Sequence, residues 1–369
     1  MKKSDSWAMS EFLGVNLGDR RLNNRFMKLV DDFSKHPEFS INQACDDWCA
    51  AKAAYRFFQN HKFSEQDLLA PHFKNTAQRC KKQKCVLVIQ DTSVIGYSHH
   101  PKTTGLGRIG GCPDPAGVVH GFYIHPAFAV TVDGLPLGLL SNEMWSRDNS
   151  KPKSDKRKDH LIHTEDKESF KWINALEKTY EILEGKVNTI TICDRECDIF
   201  DFYLSALDIN TNVIVRCRED RQIGTRSEPE LLSERFAKTQ CYKETVKIKV
   251  PIEQLGNKNN KKATKYREAT LEIKSVPITL TPSRKATQVV KEKINIFAVE
   301  AKEVNPPTGL EPAHWILLTT LPVESFEESM MVVKFYSMRW KIESYFKVLK
   351  SGCTVEKCRL SECDRLTKY

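Results

Sequence analysis

No apolar run in this chain approaches the about 20 residues that a membrane-spanning helix requires. The first residues, MKKSDSWAMSEF, carry two lysines but lack the apolar segment of a secretory signal peptide. These absences argue against a membrane partner and predict a cytoplasmic protein. The text TGLGRIGG also lacks the Gly-Lys-Ser/Thr ending of a Walker loop, so it does not predict a nucleotide-binding P-loop.

The cysteines lack the spacings of a structural zinc site. The two clusters are Cys193-x3-Cys197 and Cys353-x4-Cys358-x4-Cys363, and no histidine lies nearby at ligand spacing. A reducing cytoplasm also keeps thiols from forming disulfides. We therefore expect buried or incidental thiols.

The charge balance is basic, because 57 Lys and Arg against 48 Asp and Glu give a net charge of +9. This balance permits a nucleic-acid partner without requiring one. The 369 residues have room for more than one domain. Residues 1–75 combine apolar residues at helical spacing with a basic side, which predicts a small N-terminal helical domain. Residues 76–369 form the second predicted domain, with a β-rich insertion at about 225–305 where segments alternate like antiparallel strands.

Two predicted strands end in aspartate. Val86–Ile89 form a continuous apolar run, as in a strand buried on both faces, and Asp91 follows it. The β-prone Thr189–Cys193 lead in the same way to Asp194. Open α/β sheets place functional sites at the carboxyl ends of their strands. A lone aspartate that merely ends a strand is nevertheless the commoner case.

The segment Ser325–Lys350 predicts one helix, because Ser325 and Glu328 form a capping box and no Pro or Gly precedes Gly352. Five polar side chains recur along it at spacings of three, four, four and three: Tyr336, Arg339, Glu343, Lys347 and Lys350. At about 100° per residue they fall within about 80° of arc, on one face. A solvated, salt-bridged face is the ordinary interpretation. One carboxylate among cations also suits a phosphodiester site.

The spacing Tyr336-x2-Arg339-x3-Glu343-x6-Lys350 resembles the Y-R-E-K signature of the bacterial cut-and-paste transposases of the IS-four family. This resemblance implies a bacterial, DNA-associated protein with an α/β, ribonuclease-H-like mixed-sheet catalytic core. The core would carry the β-rich insertion and follow the N-terminal helical domain.

The family's three catalytic acids, the DDE triad, also have counterparts here. Ile-Gln-Asp-Thr-Ser around Asp91 and Cys-Asp-Arg-Glu around Asp194 resemble the first two acids, and Glu343 of the signature is the third. The resemblance thus implies that Asp91, Asp194 and Glu343 are catalytic residues and metal ligands. Their hard oxygen ligands suit Mg²⁺, with Mn²⁺ as a substitute. Two such ions would clamp the attacking and leaving oxygens of a phosphoryl transfer.

Further residues are assigned to DNA or phosphate binding by the resemblance and by the basic helix face. They are Arg20, Arg21, Tyr55, Arg56, Arg216, Arg218, Trp315, Tyr336, Arg339, Lys347 and Lys350. The N-terminal members would bind the transposon's terminal repeat in double-stranded DNA, and Trp315 would stack on an extruded base. The implied activity is strand nicking, hairpin formation, hairpin opening and strand transfer into target DNA.

Family members continue beyond this helix into a C-terminal helical domain that mediates dimerisation, whereas this sequence stops at Tyr369. The resemblance implies a homodimer in the synaptic complex, and the missing domain puts that homodimer in question for this chain. Two alternatives stay open. One is a truncated, non-transposing DNA-binding protein that binds transposon ends or inhibits a full-length transposase. The other is a stand-alone ribonuclease-H-like nuclease, which nicking of DNA without a terminal repeat would favour.

Overall fold

The computed structural model describes residues 6–97, 100, 102–109, 120–147, 168–225, 227–251, 266–282 and 293–369. These residues form a mixed α/β structure with a helical region at the N-terminus and a large mixed sheet. The structure agrees with the predicted α/β class. Among the helices described, none has both the length and the apolar character needed to cross a membrane.

The N-terminal region is helical, and polar caps fix the starts of its longer helices. Its helices are α1 (Trp7–Glu11), α2 (Arg20–Lys35), α3 (Ile41–Ala44), α4 (Trp48–Phe58) and α5 (Glu65–Cys80). The side chain of Asp19 accepts a hydrogen bond from the α2 backbone, and that of Asp47 does the same for α4. Helix α5 runs past residue 75 and packs against the large sheet.

Within the described residues, thirteen strands and six further α-helices follow α5. The strands are β1 (Val86–Gln90), β2 (Ser93–Gly96), β3 (Gly107–Arg108), β4 (His120–Thr131), β5 (Pro136–Trp145), β6 (Thr189–Cys193), β7 (Asn212–Arg216), β8 (Gln222–Gly224), β9 (Pro229–Leu231), β10 (Thr245–Pro251), β11 (Tyr266–Leu280), β12 (Ile294–Glu303) and β13 (His314–Thr319). The helices are α6 (Phe170–Ile182), α7 (Phe200–Asp208), α8 (Leu232–Lys238), α9 (Phe326–Ser337), α10 (Trp340–Lys347) and α11 (Cys363–Lys368).

The large sheet has eleven strands within the described residues, in the order β10-β11-β12-β13-β7-β6-β1-β4-β2, with β3 and β5 also paired to β4. Strands β1, β6 and β7 run parallel, whereas the other neighbouring pairs are antiparallel. Strands β10, β11 and β12 lie in the predicted β-rich insertion. They extend one end of the large sheet rather than forming a sheet of their own.

The central strands are covered on both faces, which explains why their sequences are continuously apolar. Leu87 and Ile89 of β1 pack into a core shared with the N-terminal helices, α9 and α10. Val86 and Val88 point to the opposite face, toward α5. This alternation follows from the two-residue period of a strand. It also directs Asp91, the next odd-numbered residue, toward the face that carries α10.

The predicted uninterrupted helix over Ser325–Lys350 is wrong. Helix α9 ends at Ser337 and α10 begins at Trp340, and a π-helical turn spans Val348–Gly352. At the break, the backbone N–H groups of Met338 and Arg339 donate to carbonyls three residues back instead of four. Tyr336 is buried in the core while Lys347 is exposed, so the five polar residues do not share one exposed face.

Candidate active site

Asp91 and Asp194 follow two neighbouring parallel strands at the same edge of the sheet. Ile89 of β1 pairs with Ile192 of β6, and each aspartate lies two residues beyond its isoleucine. Neighbouring strands are about 4.8 Å apart, so the matched register brings the two carboxylates to one place. Both aspartates are partly buried.

Glu343 reaches this edge from α10, which packs beside β1. Arg339, at the start of α10, connects it to the first aspartate. Its Nη1 donates to Asp91 Oδ2 at 3.0 Å and its Nη2 donates to Glu343 Oε1 at 2.8 Å. The side chains of Arg339 and Asp91 are only 14% and 19% exposed, against 45% for Glu343. The guanidinium is thus a largely buried bridge between two carboxylates.

The electrostatics at this edge favour a proton or a cation. Burial raises the pKa of Asp91 to about 6; the Arg339 guanidinium opposes the rise, while the charges of Asp194 and Glu343 add to it. Asp194 is also held in place, because its Oδ1 accepts a hydrogen bond from Glu196 N at 2.9 Å. The single charge of Arg339 is shared between Asp91 and Glu343 and cannot neutralise both.

The carboxylates have the donor chemistry of a divalent-cation site, because carboxylate oxygens are ligands that Mg²⁺ prefers. Across the described ranges, however, no three His, Cys, Asp or Glu side chains are arranged to hold a metal ion. At the site itself, the Arg339 guanidinium provides the positive charge between Asp91 and Glu343.

Tyr336, Arg216 and Trp315 form a packed group next to Asp194. The β6–β7 register pairs Cys193 with Val215, which places Arg216 beside Asp194. The side chain of Arg216 donates from Nη2 to His314 O at 3.2 Å and lies near Tyr336, whose pKa is raised by burial. Trp315 is 6% exposed and meets the Tyr336 ring edge to face at 5.3 Å. The base-stacking role predicted for Trp315 therefore requires that its ring become accessible.

Asp198 organises the loop that carries Arg218, a contact that the sequence interpretation missed. Its Oδ2 accepts from Arg218 N at 3.0 Å and its Oδ1 accepts from Tyr203 Oη at 3.1 Å. Arg221 also pairs with Oδ1, and the Asp198 side chain is 3% exposed. The Arg218 side chain is left at the surface. In the sequence, the only indication of this role is that Asp198 follows Asp194 by four residues.

The two basic residues at the end of α10 differ in burial. Lys347 is exposed, whereas Lys350 is half-buried in the π-helical turn. The turn shifts the helical register after Val348, so Lys350 does not continue the face on which Glu343 and Lys347 lie.

The predicted N-terminal contacts lie on α2 and α4, which pack against each other. In the sequence both helices precede the first of the three acids, Asp91. Arg20 and Arg56 are exposed, and Tyr55 is half-buried. Arg21 is also exposed but pairs with Asp19 at 3.5 Å. Trp48, which the sequence interpretation missed, is 71% exposed. Since Lys52 and Arg56 follow it at four-residue spacings, α4 presents an aromatic ring and two cations on one face.

The thiols beside Asp194 are buried, as the sequence predicted. Cys193 and Cys197 are fully buried and hydrogen-bond each other, and burial raises the pKa of both. Thiols with raised pKa values in apolar surroundings are poor nucleophiles and metal ligands. They contribute packing behind the Asp194 turn.

Residues 4–63 match the family model for the transposase DNA-binding region. The match supports a transposase or DNA-binding role, with DNA as the partner. It covers α1 to α4, and with them Arg20, Arg21, Tyr55 and Arg56. The three acids and the Y-R-E-K residues lie outside the matched segment.

Proposed function

We propose that this protein is a DDE transposase of the IS-four family, with a Y-R-E-K signature on a ribonuclease-H-like core. One observation carries the proposal: the register-matched ends of β1 and β6 carry Asp91 and Asp194, and Arg339 ties Asp91 to Glu343. The match of residues 4–63 to a transposase DNA-binding region supports it independently. Substrates are the terminal repeats of an insertion sequence and a target duplex, and a homodimer is the expected synaptic form.

In this proposal Asp91, Asp194 and Glu343 would hold two Mg²⁺ ions, or Mn²⁺ in their place. When bound, the metal supplies charge stabilisation to the attacking and leaving oxygens of the phosphodiester. The chain's own groups orient the DNA. Arg339, once released from the carboxylates, can bind a phosphate through two parallel N–H donors, and Lys347 adds a nearby positive charge.

Tyr336 and Arg216 contribute in a different way. Arg216 lies beside Asp194 at the end of β7 and near Tyr336, and its hydrogen bond to His314 O fixes the guanidinium there. A fixed guanidinium next to the acid cluster can hold a DNA strand in register for nicking, hairpin formation, hairpin opening and strand transfer. Arg218 and Lys350 are further candidates for contacts with DNA phosphates.

The decisive experiment is cleavage of a labelled duplex that carries the terminal repeat of the parent element, with Mg²⁺ and then Mn²⁺. Wild-type protein should nick at the repeat, and Glu343→Ala should bind the duplex without nicking it. Glu327→Ala, an exposed acid in the first turn of α9, is the matched control and should nick normally. Specific binding without cleavage by the wild type, with either metal, would leave a DNA-binding protein that occupies transposon ends.

DNA binding by the N-terminal helices has its own prediction. Arg20→Ala and Arg56→Ala each remove one exposed cation from the matched segment. Each should weaken binding about equally for all sequences and lower the slope of log K against log salt by about 1. Lys82→Ala, an exposed cation outside the segment, should leave the slope unchanged. Fluorescence anisotropy across a salt series measures this slope. An unchanged slope in Arg20→Ala and Arg56→Ala would exclude both residues from the DNA interface.

A further inference from the structure

His125 of β4 lies directly behind Asp91 and is fully buried. Its Nδ1 is 3.0 Å from Thr92 Oγ1, and its Nε2 is 3.3 Å from the Gln90 side chain. The two residues that flank Asp91 at the end of β1 are therefore both tied to one imidazole.

The strand alternation explains this arrangement. Asp91 points to the face with α10, so Gln90 and Thr92 point to the opposite face, where His125 meets the edge of Trp172 at 4.6 Å. Thr92 in turn donates its backbone N–H to Asp91 Oδ1 at 2.8 Å. A contact on the Thr92 side chain is thus transmitted to the carboxylate itself.

Gln90 anchors the other side of the imidazole. In the amide orientation that satisfies its partners, Gln90 donates to Trp172 O at 3.2 Å and accepts from Leu176 N at 3.3 Å. The NH₂ group then faces Nε2 of His125, so Nε2 accepts and Nδ1 carries the proton toward Thr92. The chain of contacts runs from α6 through Gln90 and His125 to the Asp91–Thr92 turn.

We propose that His125 is a positioning residue for Asp91, holding the end of β1 so that this carboxylate meets Glu343 and Asp194. The inference rests on the proposed function of these acids. His125 does not act on the substrate itself, because it is fully buried behind the strand. Burial, with the nearby charge of Lys171, lowers the pKa of His125 to about 3, so the ring is neutral. Its contribution is the pair of directed hydrogen bonds.

Two substitutions separate this role from simple packing. His125→Phe keeps a ring against Trp172 but makes neither hydrogen bond. His125→Asn loses the ring but places an amide where Nδ1 reached Thr92. We expect His125→Phe to slow nicking at saturating DNA by about 10–100-fold, as for outer-shell partners of metal ligands, with DNA affinity unchanged. His125→Asn should recover part of that rate although it is the less stable variant.

The order of activities is the test, because packing alone predicts that the apolar His125→Phe is the more active of the two. Thr92→Val supplies a second test at a less buried position. The loss of nicking rate that it causes should not add to the loss caused by His125→Phe when the two substitutions are combined. Wild-type rates in His125→Phe and Thr92→Val would overturn the inference, provided that Glu343→Ala is inactive. Nicking by Glu343→Ala itself would instead overturn the proposed function.

Discussion

Asp91→Asn should abolish nicking and at the same time stabilise the fold at pH 8. Loss of nicking follows because the substitution removes one of the three carboxylates on which the proposed chemistry depends. The loss should exceed the about 10–100-fold typical of an outer-shell partner. The stability gain follows because the pKa of Asp91 is raised even with Arg339 beside it, so ionisation of Asp91 is unfavourable on balance. Asparagine resembles the neutral acid and keeps an oxygen that can accept the hydrogen bond from Arg339.

The direction of the Asp91 pKa shift determines how this stability gain depends on pH. The pKa of Asp91 is raised from 3.8 to about 6 in the folded protein, so the folded state binds the proton more tightly than the unfolded state. The cost of ionisation is therefore fully present above about pH 6 and disappears as the pH falls toward 4. A shift of this size corresponds to at most about 3 kcal/mol at pH 8 and to roughly half of that at pH 5.

Urea unfolding of wild type and Asp91→Asn at pH 8 and pH 5 measures both the gain and its decline. Asp133→Asn, an exposed acid in the β4–β5 turn, is the matched control and should show little change at either pH. Mg²⁺ should raise the melting temperature of the wild type by mass action and have less effect on Asp91→Asn. A stability loss in Asp91→Asn at pH 8 would contradict the electrostatic account of this site.

The strands could be predicted from the sequence because their signals are local. The apolar runs before Asp91 and Asp194 identified β1 and β6. The parallel pairing of β1 with β6, which sets these aspartates side by side, was not predicted. Periodicity by itself gives strands but not their neighbours.

The break between α9 and α10 could not be predicted, because neither proline nor glycine marks it. It coincides with Arg339, whose side chain is held by Asp91, a residue 248 positions earlier in the chain. Helical periodicity assumes that every residue continues the same rotation, and a tertiary contact of this kind overrides it. The partners of His125 could not be predicted for a related reason, since the sequence does not show which residues face it across the sheet.

Arg339→Met tests whether the guanidinium is the counter-ion of the acid cluster. The substitution keeps an unbranched side chain but leaves Asp91 buried without its partner at 3.0 Å. Removal of one partner from a buried ion pair costs about 3–5 kcal/mol, and uptake of a proton by Asp91 limits the cost here. We therefore expect a clear loss of stability at pH 8 and a smaller one at pH 5. Lys334→Met, which removes an exposed cation from α9, should change little at either pH.

The same variant discriminates between two roles of Arg339. If the guanidinium occupies the site of a metal ion, Mn²⁺ should stabilise Arg339→Met more than it stabilises the wild type. In the variant the metal does not have to displace a guanidinium from the carboxylates. Arg339→Lys should recover only part of the stability, since a point charge cannot bridge Asp91 and Glu343 as a planar fork does. Nicking should be lost in Arg339→Met even with Mn²⁺ bound, because the phosphate loses its bidentate partner. Equal stabilisation of both proteins by Mn²⁺ would show that Arg339 and the metal do not compete, and would confine Arg339 to DNA binding.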